Sequence, residues 1–238
     1  MSRRVDLRSR LGAPRDQGPR STCLAFAVSA AHEVALFEDH DILDTCEEYL
    51  YWASKQYDIP APGTTFEAMR TGLASKGQPL EEQWPYDPSC DDQEAGYLPP
   101  VAAHAAQPRW APLLSAVTPT PQGVRSLLDT GRVVVIGMPT WPSFDTPIAG
   151  RLNVPKMTEL DGEFHAVAVI GYDELTAEML IRNSWGSSWG VNGTAWLPLR
   201  FLDEHRCEAW MIGPTVAPVP FNHDHRSAAR YGSSIQEN

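Results

Sequence analysis

From Thr22 onward the apolar residues Leu24, Ala27, Val28, Ala31, Val34 and Ala35 return every three or four positions, the period of a helix face. Ser21 or Thr22 supplies a hydroxyl to cap its start. A second helix is predicted over 47–57 and a third over 65–75, the latter closed by Gly77 and Pro79. Prolines crowd the stretch 85–121, which reads as loop with short extended pieces. Beyond it the pattern changes. Val133-Val134-Val135-Ile136, 166–170, Met179-Leu180-Ile181 and Thr194-Ala195-Trp196-Leu197 are short apolar or β-branched runs bounded by turn residues, and each is expected to be a strand. A helix-rich front and a strand-rich back predict an α+β fold whose halves face each other across a cleft. The expected division is 1–112 for the helical half and 113–212 for the strand half. Residues 213–238, rich in Pro, Ser, Ala and polar side chains, are expected to form a loose tail.

The 238 residues suffice for one domain or two tightly joined halves with a sizeable core. With 42% hydrophobic residues, 21% charged and eight tryptophans, the disordered and fibrous classes drop out. The net charge of -11 has the wrong sign for a phosphate-backbone binder, so nucleic acid is not an expected partner. No run approaches the roughly 18 apolar residues of a membrane span, and no membrane partner is expected. Arg3-Arg4 invites a twin-arginine export reading, but the polar stretch 11–20, with two prolines and two glycines, is not the apolar segment such a signal needs. The four cysteines, at 23, 46, 90 and 207, lack zinc-knuckle spacing and are sparse for a disulfide scaffold. A cytoplasmic compartment with reduced thiols is the expectation. His223-Asp224-His225 reads as a solvated stretch rather than a metal clip, and neither a metal nor an organic cofactor is expected.

Cys23 falls in the first turn of the first helix, where the helix dipole and unpaired amides favour a thiolate. Arg20 adds to this if its side chain turns inward. Gln17, in the turn Asp16-Gln17-Gly18-Pro19, carries an amide able to donate to an oxyanion together with the Cys23 N–H. His165 opens a predicted strand, where an imidazole can accept a thiol proton and return it to a leaving amine. Singly, each of these residues is ordinary. The run Asn183-Ser184-Trp185-Gly186-Ser187-Ser188-Trp189-Gly190 is not, since two Trp-Gly pairs after an Asn are hard to explain as generic strand or turn. An Asn that accepts from one imidazole nitrogen, shielded by an indole, fixes the ring's tautomer and orientation.

In the order Gln17, Cys23, His165, Asn183 the sequence resembles the papain family of cysteine peptidases, from about Val5-Asp6-Leu7-Arg8 to about Ile212. The resemblance implies a papain-like fold: a helical N-terminal half, an antiparallel sheet or barrel in the C-terminal half, and the active-site cleft between them. It implies Cys23 as nucleophile, His165 as base and acid, Asn183 as the orienting residue and Gln17 as oxyanion donor. Trp185 is then expected to cover the Asn–His hydrogen bond, and Trp189 to line the primed side of the cleft. The family usually shows Cys-Gly-Ser-Cys-Trp around the nucleophile, whereas this chain reads Arg20-Ser21-Thr22-Cys23-Leu24. Arg20 replaces a cysteine that normally forms a disulfide, which agrees with a reducing compartment and resembles the simpler papain-like enzymes of bacteria. No inhibitory prosegment precedes Val5, so control is expected to lie elsewhere or in a segment that has been removed.

Pro62-Gly63-Thr64-Thr65-Phe66 lies where the family places extended backbone that pairs with substrate. Gly63 and Thr64 are expected to hydrogen-bond a peptide there, against the alternative of an ordinary loop and helix cap. Glu163 and Phe164 are expected to shape the pocket for the second side chain upstream of the cut, with Gly137 and Met138 as its floor. The expected function is cysteine peptidase, with a peptide or protein as substrate. Two alternatives use the same residues: acyl transfer to an amine, as in a peptide ligase or dedicated processing enzyme, and a catalytically silent peptide-binding module.

Overall fold

The computed structural model describes residues 3–37, 41–94 and 96–213. The expected tail from residue 214 on, with His223-Asp224-His225, lies outside the described residues. α1 (Cys23–Leu36) is Ala-rich and buried on nearly every side. A helix without a polar face belongs inside, and this one packs against both the strands and the neighbouring helices. Its start is not capped by a side chain. The Thr22 hydroxyl instead meets the Tyr86 hydroxyl at 2.7 Å, which leaves the first amides of the helix to the site.

α2 (Glu47–Lys55) begins where Cys46 Sγ accepts from the Tyr49 N–H, with Glu47 and Glu48 at the end of the helix that favours negative charge. α3 (Phe66–Lys76) begins at Thr65, whose hydroxyl accepts from the Ala68 N–H, and stops at Gly77. The proline-rich stretch holds α4 (Val101–Ala105) and β2 (Leu114–Val117). It runs directly into α5 (Pro121–Leu128), capped by Thr120. Proline at the first helical position marks a start and not a break, so its presence concealed this helix.

β1 (Arg4–Asp6), β3 (Val134–Pro139), β4 (Phe164–Asp173), β5 (Glu178–Arg182), β6 (Thr194–Pro198) and β7 (Glu208–Ile212) join β2 in one sheet. A short α6 (Phe201–Glu204) precedes β7. The order is β2-β7-β3-β4-β5-β6, with β1 added on β4, and every pairing is antiparallel. β3 to β6 take up the four predicted runs, the first of them from Val134 on. β1 comes first in the chain yet pairs with the strand-rich half, across the expected division at residue 112. Gly171 makes that possible, because a Cβ there would lie 2.4 Å from the Val5 carbonyl oxygen. The main core is continuous through both halves. Among the described residues, no helix is long and apolar enough to cross a membrane.

Charge fastens the loop ahead of α1. Arg20 is only 7% exposed, and its Nη1 and Nη2 donate to the two carboxylate oxygens of Glu48 at 2.6 and 2.7 Å. The other donors reach the Asp87 carbonyl, Asp92 and the Tyr97 hydroxyl, and the Tyr86 ring lies 4.8 Å from the guanidinium carbon. Two charges persist in the interior because each has partners in every direction. Arg20 therefore turns toward α2 and not toward Cys23. All four cysteines are free, so an ion pair stands where the family pattern has a disulfide-forming cysteine.

Arg20→Met strands the buried Glu48 carboxylate and is expected to cost about 3–5 kcal/mol of unfolding free energy in urea titration. Adding Glu48→Leu removes the stranded charge and should recover part of that loss. A single-mutant loss below about 1 kcal/mol contradicts this assignment.

Candidate active site

Two segments far apart in sequence meet edge to edge. The Gln17 N–H donates to the Ser184 carbonyl at 2.8 Å, the Gly186 N–H donates to the Arg15 carbonyl at 3.0 Å, and Asp16 pairs with Trp185 between them. The turn before α1 is thereby set against the segment that follows β5.

His165 is the second residue of β4, and Asn183 follows the last residue of β5, the strand beside it. His165 Nε2 lies 2.7 Å from Asn183 Oδ1, and the same oxygen accepts the Ser184 N–H at 2.8 Å. An atom that accepts from a backbone amide is an oxygen, so Nε2 carries the imidazole proton and Nδ1 is the bare nitrogen. Trp185 covers the ring with centroids 4.9 Å apart, and the buried Phe144 packs 5.8 Å from it on another side. Burial pushes the imidazole down to about 4, with the Asn183 hydrogen bond acting the other way.

Cys23 opens α1. Burial raises its thiol, and the backbone N–H groups of Ala166, Leu24 and Cys23 itself act against that by favouring the thiolate. Ala166 is the residue after His165, so the sulfur sits at the mouth of the strand that carries the imidazole. Each charge taken singly is disfavoured there.

Gln17 is 6% exposed and held at both ends of its amide. Its Oε1 accepts from Ser184 Oγ at 2.6 Å, and its Nε2 donates to the Arg20 carbonyl at 2.6 Å. The amide nitrogen has a second N–H to offer. Ser184 and Phe144 had no role in the sequence reading. Ser184 was visible as the hydroxyl directly after Asn183, whereas Phe144 lies in a loop with no period to draw attention to it.

The expected lining residues divide. Phe164 is 62% exposed beside His165, where a substrate can reach it, and Glu163 before it is exposed. Met138 and Trp189 are buried. Met138 pairs with His165 but has no exposed surface, and Trp189 is 5% exposed with its indole N–H bonded to the Phe144 carbonyl at 3.0 Å. Alternation along β3 leaves Gly137, paired with Ala166, as the half-buried residue on the opposite face. The Gly63 N–H donates to the Tyr51 hydroxyl and its carbonyl accepts from Lys55, so its backbone is engaged within the fold.

The family model described as papain family cysteine protease matches residues 1–208. The chain is 25% identical to an uncharacterized peptidase C1-like protein of Acanthamoeba polyphaga mimivirus, over 88% of this chain and 72% of that protein. Its fold is similar to that of xylellain, a cysteine protease from Xylella fastidiosa, with a TM-score of 0.76 and 23% identity over 88% of this chain and 85% of that one. It is also similar to the bromelain protease from Ananas comosus, solved with the E64 inhibitor, with a TM-score of 0.67 and 18% identity over 88% and 97% of the two chains. The chain belongs to the papain family and is a cysteine peptidase, a hydrolase.

A cavity of about 380 Å³ adjoins the site, lined by Ala166 and Asn183 together with Arg15, Glu33, Glu47 and Arg182. Carboxylate oxygens of Glu33, Asp44 and Glu47 come within 4.8 Å of one another, a spacing compatible with a cation. Arg15 already supplies that charge, at 3.0 Å from Asp44 and 2.6 Å from Glu47 and bonded to Glu81. Burial pushes Glu33 up to about 7, and it raises Glu47 and Glu81 as well. The folded chain therefore holds a proton on Glu33 that the unfolded chain has released, and the stability this confers is lost as pH rises toward 7. Glu33→Gln should gain stability relative to wild type between pH 5 and 8 in paired thermal melts. A difference that does not change with pH contradicts the assignment.

Proposed function

We propose that the chain hydrolyses peptide bonds in peptide or protein substrates through a Cys23–His165–Asn183 triad, with Gln17 as oxyanion donor. The observation that carries this reading is the double acceptance at Asn183 Oδ1, which leaves His165 Nδ1 bare beside the strand mouth where Cys23 sits. The thiol proton passes to Nδ1 and the thiolate adds to the scissile carbonyl carbon. The carbonyl oxygen becomes an oxyanion held by the Gln17 amide and the Cys23 N–H. As the C–N bond breaks, the imidazolium gives its proton to the leaving amine, and a thioester remains on Cys23. Water then loses a proton to Nδ1 and adds to the thioester, and collapse expels the Cys23 thiolate with the carboxylic acid product. An amine in place of water gives acyl transfer by the same steps. A silent binding module has no use for a bare Nδ1 beside a sulfur.

The direct test is labelling with an epoxide inhibitor of papain-like thiols, read by intact mass. One adduct on wild type and none on Cys23→Ala is expected, and an unlabelled wild type overturns the reading. Gln17→Ala should lower kcat on a peptide substrate by about 10²–10³ while Cys23 alkylation by iodoacetamide continues. On the acid side, one added proton leaves the Cys23–His165 pair as thiol and imidazolium, with neither thiolate nor base, so kcat/KM should fall about tenfold per pH unit below the pair's acid limb. The Asn183 bond favours the imidazolium, so Asn183→Ala should slow iodoacetamide alkylation of Cys23 near neutral pH as well as lowering kcat. An unchanged alkylation rate contradicts the role given to Asn183.

A further inference from the structure

One ammonium gathers the rim of the cleft beside the nucleophile loop. Lys55, the last residue of α2, brings Nζ to 2.9 Å from the Ile59 carbonyl, 2.6 Å from that of Ala61 and 2.8 Å from that of Gly63. An ammonium has three donors, and all three are used. The Gly63 N–H donates to the Tyr51 hydroxyl at 3.2 Å, so α2 grips both backbone groups of this residue. Its φ of +82° is a conformation that glycine adopts readily. A Cβ on Gly63 would lie 3.7 Å from Ser21 Cβ, so the gripped point touches the loop that leads to Cys23. Asp58 holds the segment from outside, through the Ile59 and Thr65 N–H groups at 2.8 Å each and the Thr64 side chain, and does not reach the three carbonyls. Three carbonyl dipoles converging on one point repel each other unless a cation sits there, so without Lys55 the Ala61 and Gly63 carbonyls would turn out toward water, while that of Ile59 keeps the Ala61 N–H at 2.9 Å.

We propose that Lys55 is a positioning residue for the acyl side of the substrate. Its ammonium holds segment 59–63 in place, making 62–64 the wall along which a peptide lies. Thr64, and not Gly63, presents its backbone to the peptide. The proposal rests on the peptidase reading above. No side chain from this rim needs to touch the reacting atoms. Lys55 acts on how well an extended ligand fits and leaves the thiol's own reactivity alone.

Two thiol reagents separate those effects. E-64 is a peptide-like epoxide that needs the wall, and iodoacetamide is small enough to need only the sulfur. In Lys55→Met the second-order rate of inactivation by E-64 should fall about tenfold, while iodoacetamide alkylation of Cys23 stays within about twofold of wild type. Lys55→Arg, which keeps charge and donors, should restore most of the E-64 rate. An unchanged E-64 rate overturns the proposal, and so does a parallel fall with both reagents, which signals general loosening. If wild type resists both reagents, the peptidase reading fails. Amide exchange over residues 59–65 then decides on Lys55. Exchange at least about tenfold faster in Lys55→Met supports its hold on the rim, and unchanged exchange overturns it.

Discussion

The short ladder between residues 15–17 and 184–186 is the constraint on which the rest of the site depends. It joins the turn before α1 to the segment after β5, and so fixes the distance between groups carried by the two halves of the chain. Through it Ser184 reaches the Gln17 amide, and its own backbone N–H reaches Asn183 Oδ1. The Ala166 N–H lies near enough to the Cys23 sulfur to favour its thiolate, a second approach between the same halves. Each is a pair of groups that would otherwise be buried and unsatisfied, so the assembly of the site and the hydrogen-bond needs of the interior coincide.

With every cysteine free, charge does the fastening, and the nine-residue helix α2 provides much of it. Glu48 at its start holds Arg20 ahead of the nucleophile, Glu47 beside it meets Arg15 in the adjoining cavity, and Lys55 at its end holds the rim. Such ties do not depend on redox conditions. They depend on staying dry and fully partnered, because a buried charge that loses its partner costs more than the pair contributes. The adjoining cavity carries the opposite burden. Several carboxylates line it, and burial pushes Glu33 up to about 7.

The chemistry was legible because it depends on residue types in a particular order. Gln17, Cys23, His165 and Asn183 are the residues the sequence names, and the fold sets His165 against Asn183 under the Trp185 ring. The strongly periodic elements, α1 and β3 to β6, were legible for the same reason. β1 and β7 were not. β1 has three residues and is stable only as an addition to β4, and the β7 sequence Glu208-Ala209-Trp210-Met211-Ile212 has no β-branched run to announce it. The lining residues were hardest to read, since alternation along a strand says which residues share a face but not which face is open. Met138 and Trp189 turned inward for that reason. The direction of Arg20 and the grip of Lys55 depend on partners tens of residues away or on a loop path, and neither leaves a mark in local sequence.

The central claim is that Cys23 and His165 share one proton, which makes the sulfur reactive where an ordinary thiol is not. The most direct measurement is the rate of iodoacetamide alkylation at Cys23 at pH 6, in wild type and in folded His165→Ala. An ordinary thiol holds well under about 1% thiolate at that pH, so wild type should react on the order of a hundredfold faster than the variant. Equal rates would mean that the imidazole does not act on the sulfur, and would contradict the account.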